Sequence, residues 1–386
     1  MSNVGKFCIF CGEKPKNKNK EHVIPKWLIK MTGEETRNIA LGTVITYDEI
    51  QKENFLDKFI QNNKRQFSIN NFTFPSCELC NSEFSKLEEK SKMILEKIIN
   101  EEEINSLEMS IFLDWMDKIR IGIWLAYYTL DKNPGEIEPK FYIKQRISQY
   151  DRILHISKSK ESDRKGINFY GVNHHAFVIR PSAFGLSINN YCFINISSNH
   201  LLSRRMGFPF PKKEVLTKEF HIKDVYKLDM NKEGLRRILN PIFKKKININ
   251  GIEFFQSIFS EGLVKPINET DSMISLYSSE YVKSNSLENN QYSKLISNLS
   301  DYKFINNNEN FKIQPRFIYD NHVELMYLTH DCVLDIQEYM DKKDLDNLKF
   351  DSTYSKEERQ YIINQFKISI EMTKNYKELC KIEQKK

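Results

Sequence analysis

The 386-residue sequence has no apolar run approaching the roughly 20 residues that a bilayer-crossing helix needs. No membrane partner is expected. Its first residues, MSNVGKFCIFCG, lack the apolar core and small-residue cleavage pattern of a secretory signal, so the expected location is cytoplasmic. Glycine is scarce at 13, and there is no glycine-rich phosphate loop, nucleophile elbow or internal repeat, which argues against a dinucleotide-binding fold. Strong charge imbalance is also missing. A net charge of +6 does not diagnose a nucleic-acid partner. The seven cysteines are an odd count, and without a secretory signal they argue against a disulfide framework.

What is present suffices for a folded chain. Hydrophobic residues at 40% and aromatics at 12% supply a core, and 386 residues exceed what one compact core usually holds. The charge is unevenly placed. Residues 1–30 contain seven lysines (Lys6, Lys14, Lys16, Lys18, Lys20, Lys26, Lys30) and two acids (Glu13, Glu21), so +5 of the +6 lies there.

The same segment opens a cysteine pattern. Cys8-x-x-Cys11 and Cys77-x-x-Cys80 form two identical knuckles, whereas Cys192, Cys332 and Cys380 are isolated. Two such knuckles are the usual means of placing four thiolates around a structural zinc ion. The 65 residues between Gly12 and Ser76 exceed the spacing of a plain zinc ribbon and imply an insertion. A zinc ion held by four thiolates has no open coordination position, so any chemistry belongs to neighbouring groups.

Those neighbours are Glu21-His22-Val23-Ile24-Pro25-Lys26-Trp27-Leu28 after the first knuckle and Asn81 directly after the second. Two zinc knuckles, an acid-His-x-x-Pro segment and this asparagine resemble the HNH endonucleases, also called His-Me finger or ββα-metal nucleases, over about residues 1–90. The resemblance implies a β-hairpin and helix clasping a divalent metal. It assigns His22 as the general base, with Glu21 and Asn81 holding Mg²⁺ or Mn²⁺. Glu replaces the commoner Asp at position 21, and the motif's middle asparagine has no firm match, Asn70 and Asn71 being nearest. Glu83 and Glu88 on the following helix could add a metal ligand or make structural contacts, and the structural contact is the expectation for both.

The residue types suit phosphodiester hydrolysis. A neutral imidazole accepts a proton near neutrality, and hard oxygen ligands suit magnesium. Lys14, Lys16, Lys18, Lys20 and Lys26 are placed to contact backbone phosphates, which adds affinity without sequence information. DNA is the expected partner. RNA cleavage on the same constellation stays open, as does a zinc-dependent nucleic-acid-binding or scaffold protein that does not cut.

The expected fold class is α+β: an N-terminal zinc-stabilised ββα-metal module at 1–105, a helical connector at 106–135 and a mixed α/β domain at 136–386. A strand is expected over Phe67–Phe74, and helices over 25–30, Asn81–Ile99, Leu107–Leu130, Lys232–Lys246 and Ser355–Lys377, the last with Ser355 and Glu358 as a capping box. Residues 169–172, 176–179 and 191–196 read as strands, and Ser284–Asn310 as loop-rich. His174 and His175 lack ligand spacing. Nucleases joined to an unrelated second domain resemble bacterial anti-phage effectors, which implies an activating ligand or partner at the C-terminal region and allows a homo-oligomer.

Overall fold

The computed structural model describes residues 6–17, 19–33, 38–42, 64–68, 73–130, 142–145, 147, 151–198, 201–202, 249–258, 291–298, 301–305, 309–315, 317–350 and 352–383, with four two-residue strands between 210 and 229. It is mixed α+β, as expected.

Strand β1 (Asn19–His22) leads through extended Pro25 into helix α1 (Lys26–Thr32). Proline's fixed φ suits a helix entrance, and Gly33, at φ 70°, closes the helix by donating its amide to the Ile29 and Lys30 carbonyls. Strands β2 (Asn38–Gly42) and β3 (Lys64–Ser68) pair antiparallel within the insertion. Strand β4 (Thr73–Ser76) returns antiparallel to β1, with Glu21 opposite Phe74 and His22 opposite Thr73, and leads into helix α2 (Glu78–Ile99). After β5 (Glu103–Asn105) comes helix α3 (Ser106–Leu130). The Asn105 side chain caps the Glu108 amide at 2.9 Å while Glu108 accepts from the Asn105 amide at 3.0 Å, a reciprocal box that starts α3 firmly.

The rest is organised by one sheet. Strands β6 (Asp151–Ser159) and β7 (Ile167–Tyr170) precede the short helix α4 (His175–Ile179) in the chain, and β8 (Ala183–Ile188) and β9 (Tyr191–Ser198) follow it. Two small ladders follow, β10 (Phe210–Pro211) with β13 (Leu228–Asp229) and β11 (Val215–Leu216) with β12 (Ile222–Lys223). Strands β14 (Ile252–Ile258), β15 (Gln291–Asn298) and β16 (Asp301–Ile305) complete an antiparallel path, β16-β15-β14-β6-β9-β8-β7. Strand β17 (Asn310–Lys312) pairs with β5, and β18 (Ile318–Tyr319) runs parallel to the end of β6. Helices α5 (His322–Asn347) and α6 (Lys356–Glu383) follow.

Both faces of the central strands are buried. Leu154, Ile156, Tyr191, Phe193 and Phe254 join a core shared with α3 and the N-terminal module, while Ile153, Cys192, Ile194 and Phe255 pack toward Leu325, Val333 and Ile336 of α5. The sheet is therefore the middle layer between α3 and α5. Arg152 of β6 is wholly buried on the α3 side, bonding Asp117 at 2.8 Å, Asp114 at 2.6 Å and Gln256 at 2.7 Å.

Several expectations are corrected. Residues 176–179 belong to α4 rather than to a strand: their apolar run is too short for its period to separate helix from strand, and helical bonds to the His174 and Ala176 carbonyls decide the case. Ser284–Asn310 contains β15 and β16, because polar composition does not prevent backbone pairing. The strand expected over Phe67–Phe74 is divided between β3 and β4, with 69–72 outside the described residues. Lys232–Lys246 also lies outside them. Helix α2 begins at Glu78, three residues before the expected Asn81. The capping box at α6 is present, with the Glu358 amide donating to Ser355 Oγ at 3.1 Å and the Ser355 amide to Glu358 at 2.8 Å.

Candidate metal centre and catalytic residues

The first knuckle turns at Gly12, whose φ of 79° is left-handed and whose amide bonds the Cys8 carbonyl at 2.8 Å. The Ile9 amide bonds the Pro75 carbonyl at 2.9 Å, which fastens the knuckle to β4, and the Lys144 amide bonds the Phe10 carbonyl at 2.8 Å. The second knuckle spans the β4-to-α2 junction, so Cys77 ends extended backbone and Cys80 lies in the first helical turn. All four sulfurs lie within 4.8 Å of one another. Cys8 and Cys77 are 3.8 Å apart, and Cys11 and Cys77 4.0 Å. A tetrahedral ion with Zn–S bonds of about 2.3 Å spaces its sulfurs about 3.8 Å apart, so the donors fit zinc in number, softness and spacing. The Cys77 amide also points at Cys8 Sγ at 3.4 Å, the kind of donor that steadies a thiolate. Four cysteines are thus close enough to bind a metal ion such as zinc.

Glu21 and His22 are consecutive on β1, and strand alternation sends their side chains to opposite faces of the β1–β4 ribbon. Glu21 is buried and His22 half-buried. Burial, then the nearby Lys26 and Lys118 charges, lower the His22 pKa against the opposing pull of Glu21, which favours the neutral imidazole. Asn81 lies in the first turn of α2, where its Oδ1 accepts from Ser76 Oγ at 3.2 Å. That bond ties it to the end of β4, the strand paired with β1.

The Glu21 carboxylate has a partner that sequence reading missed. Lys118 of α3, with no exposed surface, donates to Glu21 Oε1 at 2.7 Å and to the His22 carbonyl at 3.3 Å, and also bonds Glu88 Oε1. Its Nζ sits 5.8 Å from the Phe10 ring centroid. Burial pushes the Glu88 carboxyl up, partly offset by the Lys118 charge. A signal was available: Asp114, Asp117, Lys118 and Arg120 interrupt the otherwise largely apolar stretch 111–130, and charges in such a setting are buried only with partners. Glu83 makes the expected structural contact, with Lys144 at 2.6 Å.

No family model, curated protein or solved structure matches the chain. The strand-strand-helix order of β1, β4 and α2 brings the Glu21-His22 pair and the Asn81 turn into one small module closed by the four sulfurs. It does not place Glu21 and Asn81 on a common cation: each has a partner of its own, Lys118 and Ser76 respectively. Their oxygen chemistry nonetheless suits a hard divalent ion. Lys14, Lys16, Lys20 and Lys26 are exposed on this module, and Lys18 lies outside the described residues. His174 and His175 are buried at the start of α4, and His174 Nε2 is 3.4 Å from Nε2 of His330 in α5. Among the described residues, only the four cysteines form a group of three or more potential metal ligands.

Proposed function

We propose that the N-terminal module is an HNH-type endonuclease that hydrolyses phosphodiester bonds of nucleic acid, with DNA as the substrate. The observation carrying this reading is the antiparallel β1–β4 pair leading into α2, with Cys8, Cys11, Cys77 and Cys80 gathered beside it and His22 at the end of its first strand. His22 takes the proton from the attacking water. Glu21 and Asn81 would hold Mg²⁺ or Mn²⁺, which neutralises charge growing on the phosphoryl oxygens. Zinc has no part in the chemistry, since four thiolates leave it no open position. The exposed lysines around the first knuckle and α1 hold the flanking phosphates. In this reading the sheet and its helices regulate cutting, in the manner of an anti-phage effector.

The decisive test is plasmid nicking across a Mg²⁺ and Mn²⁺ titration, run beside His22→Ala and beside an RNA substrate. Nicking by the native chain but not by the variant supports the assignment; equal nicking by both contradicts it. A second reading is favoured by the Glu21–Lys118 ion pair, which leaves the carboxylate already neutralised: a zinc module that binds nucleic acid without cutting it. Binding by gel shift with no nicking under any metal would select that reading.

A further inference from the structure

A wholly buried ammonium is stable only when its donors are used and its charge is matched. Lys118 meets both conditions. Its three N–H donors face Glu21 Oε1, Glu88 Oε1 and the His22 carbonyl, and the Phe10 ring lies beside it. The two carboxylates come from different elements, β1 and α2, and would repel each other across the module if no cation stood between them. Lys118 enters from a third element. Its neighbour Asp117 bonds Arg152 of β6 at 2.8 Å and Arg120 at 2.8 Å, and Arg120 bonds Asn195 of β9 at 2.7 Å, so the sheet sets where the lysine sits.

We infer that Lys118 is an internal counter-cation occupying the place between Glu21 and Glu88, and that a divalent metal reaches Glu21 only by displacing it. The inference rests on the metal-dependent nuclease reading for its functional meaning, yet it concerns an exchange of cations that can be measured without cleavage. One ammonium against two carboxylates leaves a negative excess, so the pair retains attraction for a doubly charged ion. Lys118 is in this account a positioning residue: it touches Glu21 and the His22 carbonyl, and its presence sets the threshold for metal entry.

The test uses the full chain loaded with one equivalent of zinc and titrated with Mn²⁺ alone, the free ion being followed by its electron paramagnetic resonance signal. Lys118→Met is expected to bind one Mn²⁺ at least about tenfold more tightly than the native chain, and adding Glu21→Gln is expected to abolish the gain. Unchanged affinity with zinc content retained overturns the inference. So does a gain that survives Glu21→Gln. Should Lys118→Met lose its zinc, Lys118→Met/Glu88→Gln, which removes one positive and one negative group together, carries the same comparison. A gain in Mn²⁺ affinity with no cutting by any chain counts against the nuclease reading and leaves the exchange standing. Cutting by the native chain with affinity indifferent to Lys118 does the reverse.

Discussion

Val23 lies directly on the bare face of Gly122: a methyl group at position 122 would stand 2.6 Å from Val23 Cγ1. This contact lets the chain leaving β1 approach the axis of α3 one helical turn from Lys118, close enough for that lysine to reach Glu21. Glycine costs a helix interior about 1 kcal/mol relative to alanine, so a packing gain must offset it here.

Gly122→Ala therefore sets two effects against each other. Helix propensity favours alanine by about 1 kcal/mol, whereas overpacking a closed core costs about 1–3 kcal/mol. The clash is with a stiff branched side chain, so the expected result is net destabilisation, read as a lower urea midpoint with unchanged slope. Gly122→Ala/Val23→Ala is expected to recover part of the loss. A variant as stable as the native chain would show that Val23 does not limit this approach.

Zinc is expected at one equivalent per chain. Cys77→Ser should lower that content and loosen the module, because a structural ion's binding energy is folding energy. Cys192→Ser, buried in the sheet far from the knuckles in sequence, should leave zinc content unchanged. Metal release by a thiol-modifying reagent, followed with a colorimetric chelator, distinguishes the two.

His22→Ala should reduce nicking by about 10²–10⁴-fold, the usual contribution of a general base, with zinc content and thermal midpoint preserved. The side chain is only half-buried at a strand end, so its removal leaves no large cavity. Full activity in the variant would transfer the base to another group.

His322 predicts a pH dependence of stability. Buried at the start of α5, it bridges Ser159 Oγ at 3.0 Å and Ser187 Oγ at 3.2 Å. Burial, then Arg164, push its pKa down to about 4 against the pull of Glu161. The unfolded imidazole, near 6.5, binds a proton more readily than the folded one, so this group's contribution is full above about pH 6.5 and falls as pH drops toward 4. Asp341 acts in the opposite sense: burial raises its carboxyl to about 7, so its protonated form is favoured on folding and its contribution declines as pH rises from about 4 through 7. His322→Gln removes the acid-side loss due to this imidazole, so its urea midpoint at pH 5, relative to that at pH 7, should be higher than in the native chain. An identical slope in the variant would reassign that dependence to other groups.

The elements easiest to read in sequence were those whose signal is local. Helix α3 showed itself through apolar density, α6 through the Ser355–Glu358 box, and α1 through Pro25. Strand β6 was missed because both its faces are covered, so Arg152-Ile153-Leu154-His155-Ile156 lacks the alternation of a half-exposed strand. Helix α5 was missed because its apolar positions, Leu325, Val333, Ile336 and Met340, are interspersed with polar residues that are themselves buried, among them Gln337 and Asp341.

By itself the sequence singled out the four cysteines as a candidate metal-binding set, since two short knuckles constrain their own turns and need only meet, and the structure brings their sulfurs within 4.8 Å of one another. It also marked Glu21, His22 and Asn81 as residues to place. Only the tertiary structure decided what Glu21 touches. Lys118 is 97 positions away, and a buried charge selects its partner by distance in space, which is set by how β1, α2 and α3 pack.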